Sequence, residues 1–67
     1  MYREIGDRRR QADTLDSLGD ARRMLGDHAG AEPLYREELD LYRDIGNRLG
    51  QALALTDLSH THRALDR

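Results

Sequence analysis

The chain has 67 residues and a formal net charge of −2, with 37% hydrophobic and 36% charged residues. This length allows one small domain at most, and the absence of cysteine excludes disulfides and thiolate metal sites. The 11 basic residues are outnumbered by 13 acidic ones, whereas a nucleic-acid or membrane surface needs a basic excess. The longest apolar run, residues 52–55, is far too short for a membrane span, and the N-terminus lacks a signal-peptide pattern. We therefore expect a cytoplasmic protein with neither nucleic acid nor membrane among its partners.

Glycine followed by Asp or Asn marks the chain every 20 residues, in the pairs Gly6-Asp7, Gly26-Asp27 and Gly46-Asn47. Glycine can adopt the left-handed conformation that closes a helix, and Asp or Asn can accept hydrogen bonds from the N–H groups that open the next one. The pairs predict helices over about 8–25, 28–45 and 48–65, with 1–5 as the tail of a preceding helix. Connections this short make neighbouring helices antiparallel, so 8–45 forms a first hairpin and 48–65 opens a second.

Apolar residues recur at helical spacing in each predicted helix. The stripes are Leu15, Leu18 and Leu25 in the first helix, Ala31, Leu34, Tyr35, Leu41, Tyr42 and Ile45 in the second, and Leu55, Leu58 and Leu65 in the third. Pro33 conflicts with the second helix because it lacks a backbone N–H and crowds the preceding turn. We expect that helix either to start late, near Glu32, or to bend at the proline.

Three acidic residues share one face of the first helix, because Asp13, Asp16 and Asp20 are three or four positions apart. This face is either an acidic stripe for a basic peptide or a solvated surface that Arg23 partly neutralises, and the second interpretation is the simpler one. The arginine run 8–10 opens the same helix, where contacts with nearby acids explain it better than phosphate binding does.

Catalytic and metal sites have little support in the sequence. His60 and His62 are two residues apart, whereas helical zinc pairs need a spacing near four, and His28 is distant. His62 is interpreted as a partly buried packing residue. Ser17 and Ser59 lack a recognisable base, and the chain has no phosphate-binding glycine loop. We therefore expect no enzyme, no cofactor and no metal site.

Residues 2–27 match residues 42–67 after a shift of 40, with 11 identities in 26 positions, which is typical of repeat architectures. The identical pairs are Tyr2 and Tyr42, Arg3 and Arg43, Ile5 and Ile45, Gly6 and Gly46, Arg8 and Arg48, Gln11 and Gln51, Ala12 and Ala52, Leu15 and Leu55, Leu18 and Leu58, Arg23 and Arg63, and Leu25 and Leu65. The sequence therefore predicts an all-α fold built as an α-solenoid.

The residues also resemble a known family, the tetratricopeptide repeat (TPR). Leu15, the Leu18-Gly19 pair, Ala31 and Tyr35 match its spacing of a large residue, Leu-Gly, and a small residue facing an aromatic. The 40-residue period resembles the longer variant found in Leu-Gly-Asn-repeat proteins, kinesin light chains and bacterial regulators. This resemblance covers nearly the whole chain.

The resemblance implies that the first helix of each hairpin lines a concave groove that holds an extended peptide. The groove positions are Asp13, Asp16, Ser17, Asp20 and Arg23 in the first hairpin, and Leu53, Thr56, Asp57, His60 and Arg63 in the second. In the longer-repeat proteins an asparagine before Leu-Gly grips the peptide main chain. Ser17 and Asp57 stand at those places and carry no amide. Glu38 stands where the family has a small residue, which indicates an unusual packing or interface.

Together these features predict a protein–protein interaction module that binds a peptide or protein partner. A short array leaves apolar helix faces uncovered, so we also expect a homo-oligomer. The alternative is a ligand-free structural or designed repeat fragment that only oligomerises.

Overall fold

The computed structural model describes residues 2–66, with side chains described from residue 6 onward. These residues form three helices and no strand: α1 (Tyr2–Met24), α2 (His28–Asp44) and α3 (Arg48–Asp66). The central helix, α2, packs against both α1 and α3. The predicted all-α class is therefore confirmed, and the predicted ranges of the second and third helices agree with α2 and α3 to within one residue.

Both turns end the preceding helix with a left-handed glycine. Gly26 has φ of 83° and Gly46 has φ of 70°, a region that residues with a Cβ atom rarely adopt. After the first glycine, the N–H of Asp27 donates to the carbonyl of Arg22 at 2.8 Å, and the second turn repeats this bond at 2.9 Å. This pattern satisfies carbonyls that the helix end would otherwise leave free.

The residue after each glycine caps the next helix. The side chain of Asp27 accepts a hydrogen bond from the N–H of Gly30 at 2.9 Å, and Asn47 accepts one from Gly50 at the same distance. Each bond satisfies one of the free N–H groups in the first turn. The predicted stop-and-start role of these two Gly-Asp or Gly-Asn pairs is thus confirmed.

The first such pair behaves differently, because α1 continues through Gly6 and Asp7 without a break. The predicted start at residue 8, and the separate tail over 1–5, are therefore wrong for the described residues. Gly6 does not have the positive φ of the two turn glycines. Glycine inside a helix costs only about 1 kcal/mol relative to alanine, so the same two residues permit a break without requiring one.

Pro33 lies inside α2, which begins at His28, so the late start near Glu32 does not occur. The proline leaves the carbonyl of Ala29 without its helical N–H partner. Pro33 and Ala29 are both exposed, so water can hydrogen-bond this carbonyl. Placing the proline on the outer face of α2 makes it tolerable there.

The core is small and lies along α2. Its buried apolar residues are Ala12, Ala31, Tyr35, Leu39, Tyr42, Ala54 and Leu58. The leucine face predicted for α1 is not part of it, since Leu18 is 50% and Leu25 is 84% exposed. In the third helix Leu58 is buried as predicted, but Leu55 and Leu65 remain 50% and 40% exposed.

Both α1 and α3 present a glycine to a tyrosine of α2. A Cβ atom added to Gly19 would lie 2.7 Å from a ring carbon of Tyr35, and one added to Gly50 would overlap the ring of Tyr42. Only glycine allows such close approach of backbone and ring. Gly19 of the Leu18-Gly19 pair is therefore in direct contact with Tyr35.

No helix among the described residues combines the length and apolarity needed to cross a membrane.

Two glycine substitutions test this packing in opposite directions. We expect Gly50→Ala to lower the stability by about 1–3 kcal/mol, because the added methyl group would displace the buried ring of Tyr42. In a domain of this size that corresponds to a melting temperature lower by about 4–8 °C per kcal/mol, measurable by circular dichroism.

The matched control is Gly6→Ala, where the added atom meets nothing within 4 Å. It should raise the stability by roughly 0.5–1 kcal/mol, because alanine is the better residue inside a helix. A loss of stability in Gly6→Ala would contradict the continuity of α1.

Candidate functional site

The ten predicted groove residues lie on α1 and α3, and the structure brings four of them together. Asp16, Asp20, Arg23 and Asp57 are half-buried, while Asp13, Ser17, Leu53, Thr56, His60 and Arg63 are exposed. The half-buried four lie where α1 and α3 approach each other across α2. The two helices that were predicted to share a groove therefore do contribute to one surface.

The other candidates are more scattered. The hydroxyl of Thr56 donates to the carbonyl of Ala52 in its own helix at 2.9 Å, so it is already occupied. Arg63 lies further along α3, where it lines an open cleft with His62 and Asp66. The C-terminal end of α3 is therefore a separate surface from the place where α1 meets α3.

Three carboxylates converge at the centre of the shared surface. One oxygen from each of Asp16, Asp20 and Asp57 lies within 4.8 Å of the other two. Asp16 and Asp20 are one helical turn apart on α1, and Asp57 reaches them from α3. We call these three residues the acidic cluster.

Tyrosines of α2 hold the aspartates of α1 in place. The hydroxyl of Tyr35 donates to Asp20 at 2.5 Å, and that of Tyr42 donates to Asp13 at 3.2 Å. Burial, together with the neighbouring Asp13, raises the pKa of Tyr42 to about 12, and burial also raises the pKa of Tyr35. Both hydroxyls therefore remain protonated donors at neutral pH. The acidic face of α1 is thus partly structural rather than merely solvated.

Arg23 contacts two members of the cluster. Its guanidinium lies 3.5 Å from Asp20 and 3.7 Å from Asp57, and so it connects α1 with α3. Both distances are long for a charge-assisted hydrogen bond, and the arginine side chain is 34% exposed. Arg23 consequently neutralises only part of the charge.

Glu38 adds a fourth carboxylate from α2 beneath the cluster. It is only 1% exposed, and its Oε1 has no hydrogen-bond partner in the described part of the chain. Burial, together with the charges of Asp16 and Asp57, raises the pKa of Glu38 to about 8. The carboxyl can hydrogen-bond Asp16 only when one of the two holds a proton.

Asp57 shares this environment. Burial and the charges of Asp16 and Asp20 raise its pKa to about 6, against the opposing effect of Arg23. Two carboxyl groups from different helices therefore resist ionisation at the same place.

Sequence reasoning proposed Asp57 as a groove residue but missed Glu38. The available signal was the replacement of a small residue by a glutamate at a packing position.

Other ion pairs lie away from the cluster. His62 lies 3.1 Å from Glu32 with its side chain 54% exposed, so the prediction of a partly buried packing residue is wrong. Arg8, at the start of the arginine run, pairs with Asp44 at 3.4 Å. A nearby acid therefore does contact this run, and this one belongs to α2.

No protein-family model matches the chain, and neither a curated protein nor a solved structure matches it significantly. The resemblance to the TPR family consequently stays a prediction.

The buried carboxyl of Glu38 makes stability depend on pH. Its pKa is about 8 in the folded chain against 4.5 in the unfolded one, so the folded chain holds this proton more tightly. The stabilisation that the Glu38 carboxyl contributes is fully present below pH 4.5, and it is lost as the pH rises through about 8. We expect Glu38→Gln to raise stability by about 1–3 kcal/mol at pH 9 and to change it little at pH 5.

The control is Glu37→Gln, which removes the same charge from an exposed neighbour. Thermal unfolding of the three proteins at pH 5, 7 and 9 checks the prediction. Parallel pH profiles for all three would contradict the burial of Glu38.

Proposed function

We propose that the chain is part of a TPR-like solenoid that binds an extended peptide or protein segment along the surface shared by α1 and α3. The observation that carries this proposal is the meeting of predicted groove residues from both helices, Asp16 and Asp20 on α1 with Asp57 on α3. The contact of Gly19 with Tyr35 supports the repeat, because both residues belong to the spacing that resembles the TPR family.

The exposed groove residues supply the means of contact. Leu53 is 56% exposed beside the acidic cluster and offers apolar area to a partner. His60 and Ser17 are exposed on the same two helices and offer polar atoms. A pattern of few polar groups around an apolar contact is typical of binding surfaces.

A peptide-display selection on the full chain tests this proposal. We expect enrichment of a defined peptide motif, with affinity for the selected peptide reduced about tenfold or more in Asp16→Ala or Leu53→Ala. Asp40→Ala is the matched control, because it removes one exposed carboxylate from α2. No enrichment, or equal losses in all three variants, would contradict a groove-binding function.

Self-association is the second candidate, and the exposed leucines favour it. Leu49 is 74% exposed on α3, and Met24 and Leu25 are 85% and 84% exposed at the end of α1. Burying such side chains yields roughly 25 cal/mol per Å², so a second copy would gain by covering them. This alternative requires no peptide ligand.

Sedimentation at micromolar concentration separates the two candidates. Self-association predicts a species heavier than the 7.7 kDa chain, with a proportion that rises with concentration. A stable, folded species of the monomer mass at all concentrations would exclude it.

A further inference from the structure

One face of α3 carries the pattern of a helix–helix contact but is exposed. Its residues follow alternating steps of four and three along the helix, and we call them the α3 seam: Arg48, Ala52, Leu55, Ser59, His62 and Asp66. Side chains at this spacing form a single stripe, as in helices that pack in pairs. His62 also contacts Glu32 of α2, so it lies at the edge of this face.

We propose that the α3 seam binds the α3 seam of a second copy of the chain, in an antiparallel pair with two-fold symmetry. This inference rests on self-association, the second candidate function above, and it specifies the surface and the alignment. It does not depend on peptide binding, because the groove residues Leu53 and His60 lie on a different face of α3.

The equivalent face of α1 is covered by an antiparallel helix. A shift of 40 residues relates Ala52 and Ser59, which are exposed, to Ala12 and Gly19 of α1, which are buried. Gly19 lies against the ring of Tyr35 in α2. The α3 seam therefore repeats a surface that packs against a helix elsewhere in the same chain, and no helix among the described residues covers it.

Ser59 determines which kind of helix can cover the α3 seam. A Cβ atom added to its counterpart Gly19 would lie 2.7 Å from a ring carbon of Tyr35, so a side chain at this position prevents such close approach of an aromatic ring. Ser59 carries that Cβ atom. A helix like α2, with a tyrosine at this point, therefore fits the α3 seam poorly, whereas an aliphatic side chain can pack there.

The α3 seam is complementary to itself in size. When two copies of α3 lie antiparallel with their midpoints side by side, Leu55 of one copy lies opposite Ser59 of the other. In the same alignment Ala52 lies opposite His62. Each large side chain then meets a small one, which is the arrangement that lets facing helices interdigitate. A second copy of the chain thus supplies the aliphatic side chain that Ser59 can accept.

The two ends of the α3 seam are also complementary in charge. The antiparallel alignment places Arg48 of one copy opposite Asp66 of the other, so the dimer has an opposite-charge pair at each end. The chain contains a precedent, because Arg8 is the counterpart of Arg48 and pairs with Asp44 of the antiparallel helix α2 at 3.4 Å. Exposed pairs contribute little affinity, so they mainly fix the alignment.

Sedimentation equilibrium of the full chain measures this association. A single helix pair is a small interface, so we expect a monomer–dimer equilibrium with a Kd on the order of 10⁻⁵–10⁻⁴ M and no larger species. Leu55→Ala should raise the Kd about tenfold, because it removes the only leucine of the α3 seam. The matched control is Leu53→Ala, which removes a leucine of similar exposure, 56% against 50%, and should leave the Kd unchanged.

Charge reversal tests the alignment. Arg48→Asp or Asp66→Arg alone places like charges opposite each other at both ends of the dimer, and each should raise the Kd about tenfold. An equimolar mixture of the two variants should associate about as tightly as the wild type, because opposite charges face each other again. Both substitutions suit the helix dipole, with an acid in the first turn and a base in the last, so the fold should stay intact.

The outcomes distinguish this proposal from the broader candidate. A chain that stays monomeric up to about 1 mM would overturn both this dimer and self-association. Self-association that Leu55→Ala and the charge variants leave unchanged would overturn the α3 seam alone and assign the contact to another face, such as that of Met24 and Leu25. Equal losses in Leu53→Ala and Leu55→Ala would also contradict the proposed face.

Discussion

The two tyrosines of α2 set the distances between all three helices. Tyr35 lies against Gly19 of α1, and Tyr42 lies against Gly50 of α3, so each flanking helix comes close to α2 at a residue without a side chain. The hydroxyls of both rings then reach aspartates of α1. Because the rings fix the spacing and their hydroxyls fix the aspartates, the shape of the core determines where the carboxylates lie.

The parts of the fold that sequence reasoning captured are those encoded by local contacts. Left-handed glycines and the Asp27 and Asn47 caps involve residues three to five positions apart, so a short pattern is sufficient to predict them. The same pattern at Gly6 was misleading, because a pair that is able to end a helix does so only where the chain folds back. Element type was therefore predictable, whereas the extent of α1 was not.

The apolar pattern identified which residues share a helix face, but not which face packs against a neighbouring helix. Leu18 and Leu25 lie on a helical face, as their spacing requires, yet α1 turns Ala12 and Gly19 toward α2. Periodicity cannot reveal which of two faces will be covered. The burial of Glu38 could not be predicted for a related reason, because it depends on the packing of α1 and α3 around α2. The sequence identified three of the carboxylates as groove candidates, Asp16, Asp20 and Asp57. That they lie near Glu38 depends on how the three helices pack, which the sequence pattern does not show.

An odd number of antiparallel helices has a mechanical consequence. The chain enters at one end of a body 42 Å long and leaves at the other. A pulling force applied through the two ends would therefore act along the helix axes, sliding α2 against both neighbours at once. The tyrosine contacts and the ion pair between Arg23 and Asp57 would then be loaded at the same time rather than one after another.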